Sequence, residues 1–387
     1  LGLAELRMDA RGRGVSDAIL DAALCGKDGP LRKVIELDRR QPEFVDTFWN
    51  YLDRRVTDYR IDAGQQILVE HGELLDSLEK RYGIPATLLV AFWGLETNYG
   101  NFLGNYPTAC ALATLAWDGR RGAFFRRELL AALDILEAGH VKPDAMRGSW
   151  AGAVGQMQFM PSNFLRYAID ADGDGRKDLW ASTADALTSA AHFLNTLGWR
   201  DGELWGREVR LPDGFDFRLA GGEKDLGHWT RLGLTLTDGS PLPNERSAAA
   251  LLLPQGSHGP AFLIERNFNV IMSWNRSQHY ALAVAHLSDR LAGLPPFNLG
   301  RNADNRPMHR VQMAELQRRL NHLGHDAGPV DGVLGSRTRQ ALREYQAKRN
   351  LVADGHPSVA ILERLRLDSA VLAIQQQEAE PAAANPT

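Results

Sequence analysis

Leu88-Leu89-Val90-Ala91-Phe92-Trp93-Gly94-Leu95-Glu96 sets eight apolar residues in a row and ends them on a carboxylate. Pro85 opens the segment and the polar run Asn98-Tyr99-Gly100-Asn101 follows it, so the pattern predicts a helix from Pro85 to Asn98. Apolar side chains cover every face of that helix, which must therefore be buried all round. A Glu on a helix is ordinarily a solvated surface residue, but this helix has no polar face for Glu96 to share. Burial beside Phe92 and Trp93 disfavours the charged carboxylate, and the negative end of the helix dipole pushes in the same direction. A carboxyl kept protonated near neutral pH is what a general acid for glycoside cleavage requires.

Helical patterns surround this segment. The first 80 residues read as helices, among them Glu43–Leu52 and Ile67–Lys80, the latter followed by the breaker Gly83. Phe124–Ala138 and Ser182–Leu197 continue the pattern. From about Gly202 to Gly259, Gly, Pro and Asp become frequent and short alternating runs such as Glu208–Leu211 and Leu232–Leu236 indicate a small β-rich insertion. Phe268–Met272 reads as a further strand and Ser277–Leu294 as a helix. After a linker over 296–308, Val311–Leu323, Ser336–Lys348 and a short helix near Pro357–Leu365 make a compact helical module. Leu316, Leu320, Leu342 and Tyr345 supply its core, and the Ala/Pro/Glu/Gln tail over 368–387 reads as disordered. The fold class is mainly α (α+β).

The chain has 387 residues, enough for two or three domains, and its net charge of −4 gives no reason to expect nucleic acid or a membrane surface as partner. Arg and Lys concentrate between His309 and Arg349, which suits an acidic polymer or, equally, solvated helix faces. No apolar run reaches the roughly 18 residues of a membrane span. Cys25 and Cys110 fit a disulfide or two free thiols. The chain starts at Leu1 without a signal-peptide pattern; a removed targeting segment or a truncation accounts for that equally.

Asp170-Ala171-Asp172-Gly173-Asp174-Gly175-Arg176-Lys177-Asp178 fits the start of an EF-hand loop. Carboxylates fall at positions 1, 3, 5 and 9, Gly175 at 6 and the Arg176 carbonyl at 7. Position 12 is Ala181, so the usual bidentate Glu is missing, and Asp185 on the following helix is placed to reach back. The expectation is a structural Ca²⁺, with a Na⁺-occupied or empty loop as the alternative, and no cofactor for catalysis.

Ala91-Phe92-Trp93-Gly94-Leu95-Glu96-Thr97-Asn98-Tyr99-Gly100 resembles the catalytic motif of the lytic murein transglycosylase B family. Gly148-Ser149-Trp150-Ala151-Gly152-Ala153-Val154-Gly155-Gln156-Met157-Gln158-Phe159-Met160-Pro161-Ser162 resembles its second signature, in the right order. The resemblance extends to about residue 295. It implies a lysozyme-like helical catalytic domain over 81–295, preceded by an N-terminal helical region over 1–80. It also implies cleavage of the MurNAc–GlcNAc β-1,4 bond of peptidoglycan, with Glu96 as sole acid and base and a 1,6-anhydromuramyl product. Ser149 and Asn275 match residues that bond the acetamido region, and Gln158 a polar residue lining the sugar site. Tyr51 and Tyr280 match cleft aromatics, and Arg120-Arg121 a pair near the peptide stem. Asp185 matches the family's last metal ligand. Two positions depart from the pattern: Trp274 and Phe193 stand where the family often has Tyr.

Leu316-Gln317-Arg318-Arg319-Leu320, Gly328–Gly335 and Thr338–Leu342 resemble the peptidoglycan-binding domain of wall enzymes, here 309–367. The implied partners are glycan strands and stem peptides, with other cell-wall enzymes as further candidates, and the implied location is the periplasm. A hydrolytic muramidase and a non-catalytic wall-binding scaffold are the competing readings.

Overall fold

The structure, a computed structural model, describes residues 3–25, 29–40, 44–244, 247–301 and 306–379. It is mainly helical and divides into two compact units. The first comprises Leu1–Gln41, Arg55–Glu203 and Asn267–Pro296, and the second Pro42–Arg54, Leu204–Arg266 and Phe297–Thr387.

Helix Ala86–Thr97 is the axis of the first unit. Every residue from Leu88 to Leu95 is buried, and each large apolar side chain so placed contributes about 1.5–3 kcal/mol. Helices Asp58–Glu70, Gly72–Tyr82, Thr183–Thr196 and Gln278–Leu291 pack round it. A second layer pairs Thr108–Asp118 with Gly122–Glu137. Cys25 and Cys110 form a disulfide, which decides the alternative that spacing left open.

The second unit holds a five-stranded antiparallel sheet, ordered 223–225, 248–252, 261–264, 206–210, 235–236. Leu226, Trp229 and Leu263 fill its core. Helices Arg310–His322, Ser336–Lys348 and Val359–Ala379 form its C-terminal part, where Leu316, Leu320, Leu342 and Tyr345 are all buried. Gln317, also buried, organises the glycine loop between the first two of these helices. Its Oε1 accepts from the Asp331 and Gly332 amides, and its Nε2 donates to the Val333 carbonyl and Thr338 hydroxyl.

Several expected boundaries differ. Phe268–Met272 is not a strand but part of helix Arg266–Trp274. A short apolar run fits either structure, and here Phe268 and Ile271, three apart, are buried on one face. Ile67–Lys80 is broken at His71, between helices ending at Glu70 and starting at Gly72. Of the expected helix Glu43–Leu52, Phe44–Val45 is instead a strand paired with Met308–His309, and helix runs from Phe48 to Arg55; Glu43 lies outside the described residues.

The sheet residues group by contact with the C-terminal helices, and 55–80 packs into the first unit rather than forming a separate N-terminal region. The start of the expected linker is fastened down. Leu299 N–H donates to Glu208, the Trp49 indole to the Gly300 carbonyl, and Arg301 lies over the Trp49 ring while pairing with Asp53. The final helix continues to Ala379, because Leu, Ala, Gln and Glu are good helix formers and no Pro occurs before Pro381. The expected disordered tail is therefore helical to 379, and 380–387 lies outside the described residues.

The Cys25–Cys110 bond closes a separation of 85 residues, long enough to restrict the unfolded chain strongly. Reduction should cost about 2–4 kcal/mol of stability, read as a lower denaturant midpoint in reducing buffer; an unchanged midpoint with the thiols verified as free would refute it.

Candidate active site

The acid helix ends in a tight left-handed turn. Asn98 and Tyr99 have φ of 50° and 61°, and their amides return to the carbonyls of Gly94 and Trp93, a Schellman-like stop that Asn tolerates well. Gly94 is required by this turn: a Cβ there would lie 2.7 Å from the Tyr99 ring. Thr97 then ties the helix end to the second signature. Its hydroxyl donates to the Gln156 carbonyl at 2.6 Å and accepts from Gly100 N–H.

Glu96 sits one residue before this anchor. It keeps some accessible surface, so its carboxyl can be reached, yet protein surrounds it closely. Burial pushes its pKa up; hydrogen bonds from Tyr280 and Trp274, and then the Arg55 charge, pull the other way. The Trp274 indole N–H donates to Glu96 Oε1 at 3.0 Å, and the Tyr280 hydroxyl donates to the same oxygen. Both donors thus converge on Oε1, leaving Oε2 to carry the proton. Among the described residues, no second carboxylate is among the groups acting on Glu96. Sequence reasoning missed Arg55, whose Nη2 donates to the Leu95 carbonyl at 2.7 Å. It is one of two adjacent arginines at the end of the amphipathic helix Phe48–Arg55, and no local pattern marks it.

Trp274 belongs to an aromatic cluster with Phe92, Phe159 and Phe193, at centroid distances of 4.6, 5.5 and 5.2 Å. Phe193 is buried and stacks on Tyr167 at 4.4 Å. It backs the indole rather than lining the cleft, a correction to its expected contact with sugar. Ser149 and Gln158 come to the loop after the acid helix. Gln158 Nε2 donates to the Leu103 carbonyl, and a Cβ at Gly104 would meet the Gly148 carbonyl at 2.1 Å, so only glycine lets the two segments touch. Ser149 Oγ accepts from Ala153 N–H. Asn275 is exposed beside Trp274, its carbonyl oxygen accepting from Ser277 N–H. Tyr51 lies half-buried on helix Phe48–Arg55, among the residues of the second unit.

Arg120 and Arg121 are held by an internal partner: Arg120 forks onto the buried Asp38 carboxylate at 2.7 and 2.6 Å, and Arg121 reaches it at 3.4 Å. In the acidic loop, oxygens of Asp170, Asp172 and Asp174 lie within 4.8 Å of one another. Asp185 is not among them. It is buried, and its two oxygens accept the Ala171 and Asp178 amides. Asp178 accepts from Trp180 and Ala181 N–H. These two acids brace the loop, as do Asp170, Asp172 and Asp174, which accept the Gly173, Gly175, Asp174 and Arg176 amides. Three clustered carboxylates form a hard-oxygen donor set of the kind that suits Ca²⁺.

A mostly helical body with one desolvated carboxyl, two donors on one of its oxygens and an aromatic wall defines a glycan-cleaving enzyme of the lysozyme-like kind. Residues 2–289 match the family of the transglycosylase SLT domain, and 309–365 match the peptidoglycan binding domain. The chain therefore belongs to the SLT transglycosylase family, with a peptidoglycan-binding domain attached. It is 32% identical over 248 residues to membrane-bound lytic murein transglycosylase B of Escherichia coli (strain K12), covering 62% of this chain and 66% of that protein. The chain thus spans about two thirds of that relative's length. SltB3 of Pseudomonas aeruginosa, solved with NAG-NAM-pentapeptide, superposes with a TM-score of 0.90 at 44% identity, covering 94% of this chain and 98% of that one. In complex with NAG-anhNAM-pentapeptide the same protein gives 0.87 at 43% identity, with the same coverage. Escherichia coli Slt35 in complex with calcium gives 0.58 at 31%, covering 68% and 83%.

Trp274→Phe keeps the aromatic wall and removes one donor from Glu96. The high-pH limb of the rate profile, where Glu96 loses its proton, should move up by about one pH unit, the worth of one charge-assisted hydrogen bond. A limb that stays put would show that the indole N–H does not act on the acid.

Proposed function

We propose that the protein is a lytic transglycosylase of the bacterial periplasm. It cleaves the β-1,4 bond between N-acetylmuramic acid and N-acetylglucosamine in peptidoglycan, with Glu96 as its one acid and base. The observation that carries this reading is the lone carboxyl with both donors on Oε1. Glu96 gives the Oε2 proton to the glycosidic oxygen as the C1–O bond breaks. The Trp274 and Tyr280 donors then stabilise the carboxylate left behind. The carboxylate takes the proton of the muramyl 6-hydroxyl as that oxygen bonds to C1, which closes the 1,6-anhydro ring and restores the acid. No water is consumed. Among the described residues, a second carboxylate to activate water, which hydrolytic glycosidases place opposite the acid, is not one of the groups acting on Glu96. The NAG-NAM and NAG-anhNAM complexes of SltB3 represent the two ends of such a reaction and support it.

Ser149, Gln158 and Asn275 line the sugar subsites, where amides and hydroxyls suit a hydroxylated ring. Arg120 and Arg121, each with about half its side chain exposed, meet the acidic peptide stem. The loop of Asp170, Asp172 and Asp174 holds a structural Ca²⁺ with the Arg176 carbonyl. The calcium complex of Slt35 supports this, and the ion would neutralise three clustered negative charges without entering the chemistry. The C-terminal domain keeps the enzyme on the wall, raising the effective concentration of substrate. A disulfide suits an oxidising compartment, and no helix among the described residues is long and apolar enough to cross a membrane.

Glu96→Gln should lower turnover at least about a thousandfold while sacculus binding persists; full activity would overturn the assignment of the acid. Mass spectrometry of digested sacculi should show anhydromuramyl ends, whereas reducing ends would establish a hydrolytic muramidase. Ca²⁺ should raise the melting temperature and a chelator reverse it, and Asp172→Asn should remove the response; a melting point indifferent to calcium would leave the loop without an ion.

A further inference from the structure

We propose that Arg55 is a positioning residue for the reaction: it closes a ring of hydrogen bonds around the end of the acid helix and places a formal positive charge beside Glu96. The last four carbonyls of a helix lack intrahelical donors, and in Ala86–Thr97 one of these is Leu95, the neighbour of Glu96. Arg55 Nη2 donates to it at 2.7 Å. The Arg55 carbonyl in turn accepts from Arg60 Nη1. The Arg60 carbonyl accepts from the Tyr99 hydroxyl at 2.6 Å. Tyr99 lies three residues beyond Glu96, so the ring runs from Leu95 through Arg55, Arg60 and Tyr99 and returns along the main chain. Two glycines make room for its phenol: a Cβ at Gly64 would come within 2.6 Å of the Tyr99 hydroxyl, and one at Gly94 within 2.7 Å of its ring.

The ring brings two guanidinium groups together. Burial and the Arg55 charge both push Arg60 down, so the arrangement costs electrostatic energy that carbonyl bonds must offset. Its chemical return lies at Glu96. Burial and the helix dipole both oppose ionisation of that carboxyl, and an acid that never ionises cannot deliver a proton. Among the described residues, the charged and titratable groups acting on Glu96 are Tyr280, from helix Gln278–Leu291, and Arg55; Trp274, from helix Arg266–Trp274, does not titrate. Arg55 is thus the cationic counterweight that keeps the acid able to ionise when the glycosidic oxygen takes its proton, while the hydrogen-bond ring fixes where the carboxyl points.

This inference rests on Glu96 being the acid, and the test separates the two. Arg55→Gln removes the charge and Arg55→Lys keeps it. In Arg55→Gln the high-pH limb of kcat/KM should move up by about half to one pH unit, with activity below the limb down about tenfold. In Arg55→Lys the limb should remain at its wild-type position although the geometry of the fork is lost. Equal losses in both variants with an unmoved limb would mean that Arg55 only braces the helix, and would overturn the proposal. Should Arg55→Gln not fold, Arg55→Lys alone still decides, since an upward shift with the charge retained would contradict the charge argument. Activity surviving in Glu96→Gln would instead sink the assignment of the acid, whatever the Arg55 variants do.

Discussion

A helix buried on every face cannot hand its last carbonyls to water. In Ala86–Thr97 three of the last four find internal donors: the Asn98 amide serves Gly94, Arg55 serves Leu95, and the Phe102 amide serves Thr97. Each solution shapes the site. The first requires the left-handed turn at Asn98 and Tyr99. The second draws a guanidinium towards Glu96. The third folds the following loop back along the helix end, where it meets Gly148–Ser149 and Gln158. The site's geometry thus follows from terminating one apolar helix inside a protein, and the carboxyl at that terminus inherits a dry environment.

That environment is a balance of opposed effects. Desolvation favours the protonated form, which suits an acid. Trp274, Tyr280 and Arg55 favour the carboxylate, which suits the base role proposed for it. An enzyme with two carboxylates can assign the roles to different groups in different surroundings. One carboxyl performing both must keep the two forms close in free energy, so its donors and its burial have to be matched. This explains why both donors bind one oxygen: they stabilise the charged form without occupying the oxygen that exchanges the proton.

The buried carboxyl was legible in the sequence because its signal is local: eight apolar residues followed by Glu96 cannot be an ordinary surface helix. Helices Gly122–Glu137, Thr183–Thr196 and Gln278–Leu291 were legible from their apolar periodicity, as were the buried Leu316, Leu320, Leu342 and Tyr345 of the C-terminal helices. What escaped depends on contacts distant in sequence. Phe268–Met272 became helix because Phe268 and Ile271 share a buried face, a fact of packing rather than of the five residues. Phe44–Val45 became strand because Met308–His309 pairs with it. Arg55 gains its meaning from a carbonyl 40 positions away. Asp185 has the spacing of a ligand, and the Ala171 and Asp178 amides that its oxygens accept are displayed by no motif.

The acidic loop illustrates how a feature remote from the chemistry can still bear on it. Gln156 N–H donates to the Leu179 carbonyl at 2.8 Å and its side chain to the Trp180 carbonyl at 3.2 Å. A Cβ at Gly155 would lie 2.6 Å from that same Leu179 oxygen. The other side of Gln156, its carbonyl, holds Thr97 at the end of the acid helix. The residues just past the carboxylate cluster are therefore two hydrogen bonds from the residue after Glu96. Mutual repulsion among Asp170, Asp172 and Asp174 tends to spread the loop and, through Leu179 and Trp180, to loosen the Gln156 turn. The proposed ion would oppose this by neutralising the cluster, so its contribution belongs to the stiffness of the site rather than to any step in the reaction.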